Sequence, residues 1–431
     1  MRHCIYSLLQ IMTSIALFAF ANCTFAQSNP KPENLVEGFS IPRLNAIGED
    51  IRADIKENKL PGAVIMVARN GRLVYADTIG KQDPKTNALM RSNTIFRLYS
   101  MTKPIVSVAV MMMVEEGRVL MTDPISKYIP ELKNLKVGIE KIDANGVKAL
   151  ELVPPMRAIT IQDLLRHTAG LTYGFQGKSL VKDEYNRLGI ERGGHSSLEF
   201  IQKLASVPLQ YQPGTNWDYS VATDVLGVML ERLSGQSLEE HLAQRIFIPL
   251  GMKDSGFWVE PTKQDRIAEA YEIDPVFKVK VPLTNIRNQP KFFSGGGGAV
   301  STADDYLRFT QMLINGGELD GARIVSRKTI EYMLSDQLVG VRAAISPNKN
   351  SEAIGPRPGY SFGLGFAVRL DGGEAGTLGT VGSGDWNGLS GPHFWIDPQE
   401  KLAVVWMAAA PGARAYYRQL IPNRVYGALM K

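Results

Sequence analysis

Cysteine is almost missing from this chain of 431 residues: there are two, Cys4 and Cys23, both inside the first 26 positions. Thiol catalysis, cysteine-bound metal and a disulfide framework are therefore excluded for everything downstream. Histidine is scarce as well, with five residues and no metal-binding spacing among them, so neither a metal nor a cofactor site is expected. Blocks of Lys and Arg are lacking. The formal net charge of +5 forms no basic stripe, which argues against a nucleic-acid partner. There are no internal repeats and no low-complexity linker.

Long apolar runs are also rare, and the one at the N-terminus is short and interrupted by Gln10, Thr13 and Ser14. That is too little for a membrane span but fits a secretory signal peptide over residues 1–26, cut after Thr24-Phe25-Ala26. A lipid anchor at Cys23 would find Asn22 where a small residue is expected. The expected destination is the periplasm or the exterior. An exported chain without disulfides must be held by its core, and 44% hydrophobic residues suffice for one.

What is present falls into three stretches. Residues 41–56 carry a helical pattern, and GAVIMVARNGRLVYADTIG (62–80) reads as two strands around Asn70-Gly71, a strong hairpin signal. Residues 118–290 read mostly as helical pieces and loops, the clearest helix being 219–235 with Ala222, Val225, Leu226, Met229 and Leu233 on one face. Thr302 caps a helix running to Gly316. Strands are expected at 363–370, 391–397 and 401–409, and a closing helix near 413–430. The expected fold is α/β (α+β): an antiparallel sheet of N- and C-terminal strands flanked by helices (27–117 and 291–431), interrupted by a mostly helical domain (118–290), with the active site between them.

Ser-x-x-Lys occurs four times, at Ser28/Lys31, Ser100/Lys103, Ser179/Lys182 and Ser346/Lys349. Only Ser100 is followed by a nearly unbroken apolar run, Val-Ala-Val-Met-Met-Met included, ending at a capping Gly117. At positions i and i+3 of a first helical turn, the Lys103 amine would lie beside the Ser100 hydroxyl. Burial and the positive helix end disfavour an ammonium there, leaving an amine that could take the serine proton. The spacing alone leaves a second reading open, with Lys103 reaching to water and Ser100 a simple N-cap.

Two more segments bear on the choice. Gln212-Pro-Gly-Thr-Asn-Trp-Asp-Tyr-Ser-Val221 sets Tyr219 at the start of the 219–235 helix, where a phenol could relay a proton or simply fill the core. Gly384-Asp-Trp-Asn-Gly-Leu-Ser-Gly391 is glycine-dense just ahead of a strand and could present backbone N–H groups to an oxyanion.

Together with Leu164-Leu-Arg-His-Thr-Ala-Gly-Leu171, Pro249-Leu-Gly-Met252 and Gly296-Gly-Gly-Ala-Val-Ser-Thr302, these segments resemble the serine β-lactamase-like hydrolases. That group comprises class C β-lactamases, D-Ala-D-Ala carboxypeptidases and family VIII carboxylesterases, and the likeness covers nearly the whole chain after the leader. The resemblance implies a β-lactamase/transpeptidase-like fold, Ser100 as the acylated nucleophile, Lys103 as its base and Tyr219 as proton relay. It also implies an oxyanion hole from the backbone N–H groups of Ser100 and Leu389.

Two departures bear on substrate. Val221 stands where the β-lactam-processing members carry an Asn, and Trp386-Asn387-Gly388 replaces their Lys-Thr-Gly. The site so loses an amide contact and a cation for the substrate carboxylate, and a buried carboxylate without its partner costs several kcal/mol. The Trp-x-Gly form is similar to the family VIII type. The expectation is a carboxylesterase for small uncharged esters, with Val221, Trp386, Asn387 and Gly388 against the substrate. A β-lactamase or D-alanyl peptidase, an acyltransferase, and a fold-keeping binding protein without turnover are the alternatives.

One competing motif is set aside. Gly359-Tyr-Ser-Phe-Gly363 matches a nucleophile elbow, with Asp385 and His393 following in order. An elbow needs strand–turn–helix, and Gly-Leu-Gly-Phe-Ala-Val after Phe362 reads as strand. His393 is expected on a sheet face and His167 in a structural turn.

Overall fold

Asn70 (φ 52°) and Gly71 (φ 76°) both occupy the left-handed region, the pairing that a two-residue type I′ turn requires. They join β1 (Gly62–Arg69) to β2 (Arg72–Asp83) at the expected place. The structure, a computed structural model, describes residues 35–142, 144–341 and 357–431. The leader expected over 1–26 lies outside them, as do the Ser28/Lys31 and Ser346/Lys349 pairs.

Beyond this hairpin the sheet takes one short strand from just after it and the rest from the C-terminal part of the chain. They are β3 (Ala88–Leu89), β4 (Tyr360–Phe362), β5 (Ala367–Arg369), β6 (Gly384–Asn387), β7 (His393–Asp397) and β8 (Leu402–Ala408). The eight run β4-β5-β6-β7-β8-β1-β2-β3, antiparallel throughout. β8 lies against β1 with Val404 opposite Val67 and Ala408 opposite Ala63, so the two ends of the sequence share the centre of the sheet.

Period-2 alternation splits the sheet into two apolar faces. Ala63, Ile65, Val67, Trp395, Val404 and Trp406 pack under α1 (Ile41–Lys56) and the C-terminal helix, Arg414–Gly427. Val64, Met66, Phe394, Ile396, Val405 and Met407 face the other way, into the larger core. That core holds α2 (Thr102–Glu115), α3 (Ala222–Ser234) and α4 (Ala303–Ile314). Every residue of α2 from Thr102 to Met113 is buried, an all-round apolar helix such as only a protein interior can hold. It ends as expected, with Gly117 at φ 69° after the last turn.

Two expectations shift and one holds. The strand expected over 363–370 is cut to Ala367–Arg369, with Tyr360–Phe362 a separate strand across a turn through Gly365 (φ 89°). Ser361 lies within β4, buried and hydrogen-bonded to Asp336, so no elbow exists there. The stretch between α2 and α3 carries short helices, Leu180–Leu188 and Ser197–Ala205 among them, but also an unforeseen hairpin, Val137–Ile142 with Lys148–Val153.

A Cβ added at Gly71 would meet nothing within 4 Å, so only the backbone conformation opposes a side chain. Gly71→Ala should therefore lower stability by about 1 kcal/mol, read as a reduced urea midpoint. An unchanged or higher midpoint would show that the turn is not under this constraint.

Candidate active site

Ser100 sits in a single 3-10 turn, Tyr99–Met101, that leads into α2. The helix thus begins two residues later than expected, its N-cap is Met101 without any side-chain cap bond, and Ser100 is not a capping residue. The tight entry goes with Tyr99, held at φ 46° while its hydroxyl accepts a 2.9 Å bond from the Thr284 N–H. Strain of this kind is costly for a bulky residue and marks sites where geometry is over-determined.

Lys103, one turn on, is 1% exposed. Its Nζ donates to the Gly296 carbonyl at 2.6 Å and lies 3.3 Å from Ser100 Oγ and 3.2 Å from the Tyr173 hydroxyl. It also lies 4.3 Å from the centre of the Tyr219 ring. Burial pushes the amine down to about 7, with the nearby Asp224 carboxylate pulling it back up in part. Against its ordinary value of 10.5 that is about 5 kcal/mol of discrimination against the ammonium. Near neutrality a large share of Lys103 is an amine beside a hydroxyl.

Tyr219 stands ahead of α3 rather than on it, since Val221 is that helix's N-cap. The stretch before it stays extended because it is tied elsewhere: Gly214 N–H donates to Thr168 O and Asp218 N–H to His167 O. Its ring packs against His167, Tyr173 and Trp386, with centroids at 4.8, 5.4 and 5.4 Å. Trp386 Nε1 donates to the Tyr219 hydroxyl at 3.3 Å, and that hydroxyl also hydrogen-bonds Ser100. Burial holds the phenol well above its ordinary range, so it stays protonated. His167, a left-handed turn residue (φ 59°), lies behind Tyr219 with Nδ1 3.2 Å from Ser220 Oγ.

The glycine-dense segment expected ahead of a strand is itself partly strand: β6 pairs with β7, Trp386 opposite Phe394. Trp386, Asn387 and Leu389 line a cavity of about 490 Å³ that opens over Ser100. Gly388 lies instead against the Leu98 carbonyl, where any Cβ would collide. Val221 lines the cavity beside Tyr219, and Phe175, Phe200, Phe257 and Phe292 form much of the remaining wall.

Two contributors escaped the sequence reading. Tyr173 is 70 residues from Lys103, and no spacing links them. Asp224 had a signal: it falls on the Val221, Val225, Val228 face of α3, an acid in an apolar stripe. It accepts from Ser294 Oγ at 2.5 Å and Gly296 N–H at 3.0 Å, and the same Gly296 gives its carbonyl to Lys103. A Cβ on Gly296 would strike the Asp224 carboxylate, so the glycine run is a close crossing with a stated purpose. Burial raises the Asp224 carboxyl, against the pull of Lys103 and these two hydrogen bonds. Among the described residues no group of His, Cys, Asp and Glu could hold a metal, and no helix is long and apolar enough to cross a membrane.

A serine and a desolvated lysine one turn apart, closed over by tyrosines and set beside an antiparallel sheet, define a serine hydrolase of the β-lactamase/transpeptidase-like fold. The Beta-lactamase family profile matches residues 47–425, and the chain belongs to that family. It is 32% identical over 407 residues to Esterase EstB of Burkholderia gladioli, covering 89% of this chain and 93% of that one. It is 29% identical over 377 residues to Acyltransferase mokF of Monascus pilosus, covering 79% and 86%. Among solved structures, EstCE1, a hydrolase with promiscuous acyltransferase activity, superposes with a TM-score of 0.73 at 27% identity, covering 90% and 98%.

If Asp224 holds the amine up, removing its charge must lower Lys103 further. With ¹³C-labelled lysine, one resonance should titrate near 7 in the native protein and at lower pH in Asp224→Asn. A midpoint that rises or stays would refute the electrostatic link.

Proposed function

We propose that the protein is an exported serine carboxylesterase acting on small uncharged esters through an acyl-enzyme on Ser100. The observation that carries this is the Lys103 amine, desolvated and 3.3 Å from Ser100 Oγ. Lys103 takes the Ser100 proton as Oγ forms its bond to the ester carbonyl carbon. The backbone N–H groups of Ser100 and Leu389 receive the oxyanion; that both residues line the same cavity supports the pairing. As the tetrahedral intermediate collapses, the C–O bond to the alcohol breaks, and the proton passes from Lys103 through Tyr219 to the departing oxygen. Water then attacks the acyl-enzyme by the same route in reverse, releasing the acid.

The choice of ester rests on the walls. Val221 offers no amide to a substrate, Trp386 spends its indole N–H on Tyr219, and Phe175, Phe200, Phe257 and Phe292 give the cavity apolar wall, alongside Glu191, Arg192, Lys291 and Arg414. An apolar acyl or alcohol group gains from such walls, at roughly 25 cal/mol per Å² buried. The β-lactamase and D-alanyl peptidase alternatives are disfavoured because Val221 and Trp386 stand at the two motif positions where those enzymes present an amide and a lysine. Acyl transfer has specific support: relatives named acyltransferases share the fold, and an alcohol can replace water at the acyl-enzyme. Export is supported by the composition of the leader and the lack of cysteine after it.

A fluorophosphonate probe should label the peptide holding Ser100, with labelling abolished in Ser100→Ala and slowed roughly 10²–10⁴-fold in Lys103→Ala. A label on Ser361 would overturn the mechanism. Turnover of a short-chain nitrophenyl ester should exceed that of a chromogenic cephalosporin, and the reverse order would reject the substrate class. Because the amine is the active form, kcat/KM should rise with pH through a midpoint near 7, falling about tenfold per unit below it. A flat profile between pH 5 and 8 would remove Lys103 as the base.

A further inference from the structure

A second cavity, of about 540 Å³, lies on the opposite face of the sheet from Ser100. Alternation along β6 and β7 produces it: Trp386 and Phe394 belong to the larger core, while Asp385, His393 and Trp395 line this cavity. The C-terminal helix covers it with Arg418, Pro422 and Tyr426.

Its lining is built around charge. Arg357 grips Asp385 with both nitrogens, at 3.2 and 2.5 Å, and lies with its guanidinium 3.5 Å from the Tyr360 ring centre. Arg369 donates to the carbonyls of Gly372, Thr377 and Leu378, but its Nε has no partner. Arg418 is the third guanidinium on the wall; Asp385 is the buried carboxylate, and Glu374 is exposed at the rim. His393 is 3% exposed, yet neither of its ring nitrogens has a hydrogen bond, the Asp385 oxygen 4.0 Å from Nε2 being too far. Leaving such groups unsatisfied carries the desolvation cost of each with nothing to offset it.

We propose that this cavity is a second ligand site, one that takes a small organic monocarboxylate. Three guanidinium groups against one buried carboxylate leave the lining net positive, which favours an anionic guest, and the orphaned His393 ring and Arg369 Nε–H are the donors left unspent. Burial pushes His393 down to about 3, so it is a neutral ring with one N–H to donate. Tyr360, Trp395 and Tyr426 supply flat apolar walls for the rest of the acid. Asp385 disfavours a second negative charge, which sets a monoanion ahead of a phosphate dianion. An uncharged apolar guest would fill the space without satisfying His393 or Arg369. Burial and the adjacent Arg357 also push Arg418 down to about 10, as expected where negative charge would be welcome. This reading is independent of the reaction at Ser100.

Benzoate is the probe, titrated calorimetrically into the full-length Ser100→Ala protein alongside benzamide and inorganic phosphate. Saturable benzoate binding is expected, with benzamide and phosphate weaker by about tenfold or more. Ala415 lines the cavity, so Ala415→Phe fills it without touching a charge, while Arg418→Met removes a positive charge at similar volume. Each should weaken benzoate by about tenfold or more. The proposal is overturned if no saturable binding occurs, if benzamide or phosphate equals benzoate, or if both variants bind benzoate normally, which would put the acid in the cleft over Ser100. Should circular dichroism show Arg418→Met unfolded, Ala415→Phe alone decides.

Discussion

A lysine enclosed by an apolar helix is the constraint around which this molecule is arranged. α2 is buried on every side, and a charged amine inside it would be intolerable without compensation. The fold answers with oxygen atoms from three distant parts of the chain: the Gly296 carbonyl, the Tyr173 hydroxyl and the Ser100 hydroxyl. The Asp224 carboxylate is held back one layer, reaching Lys103 through Gly296 rather than by a direct ion pair. A direct pair would have locked the proton on the amine. The spacing through a peptide unit leaves Lys103 poised between its two forms.

The same economy governs the tyrosines. Tyr219 is fixed by Trp386 above and His167 behind, so its hydroxyl faces Ser100 without a mobile side chain having to find it. Trp386 comes from β6, Leu389 from the turn after it, and Ser100 and Lys103 from the entry to α2, and the cavity forms where these segments meet. Substitutions at the cavity's phenylalanines can alter what fits there while leaving the Lys103 environment intact, which is consistent with one family containing proteins named for both hydrolysis and acyl transfer.

Much of this was readable in the residues. The Asn70-Gly71 turn, the Thr302 cap and the buried helix after Ser100 each follow from local rules, and each stands where those rules put it. The departures have a common cause, tertiary contacts overriding local preference. Tyr219 is kept off the helix by backbone bonds to residues 167–168, and Gly384–Asn387 is made a strand by its neighbours in spite of its glycine. Tyr173 could not be found at all, because its relation to Lys103 exists only in three dimensions. Asp224 could have been: the argument that singled out Lys103, a charge misplaced in an apolar stripe, applies to it equally.

The pairing of β8 with β1 carries a consequence for how the protein comes into being. The edge of β1 opposite β2 is completed by residues 402–408, so until those residues are made a hydrophobic strand edge is open and the central ladder is missing. Closing that ladder joins segments more than 300 positions apart, a loop whose entropy must be met before the contacts reward it. The nascent polypeptide therefore cannot reach its native state progressively, from one end to the other. It must wait, dependent on whatever shields an exposed edge from aggregation, until residues 402–408 have been made.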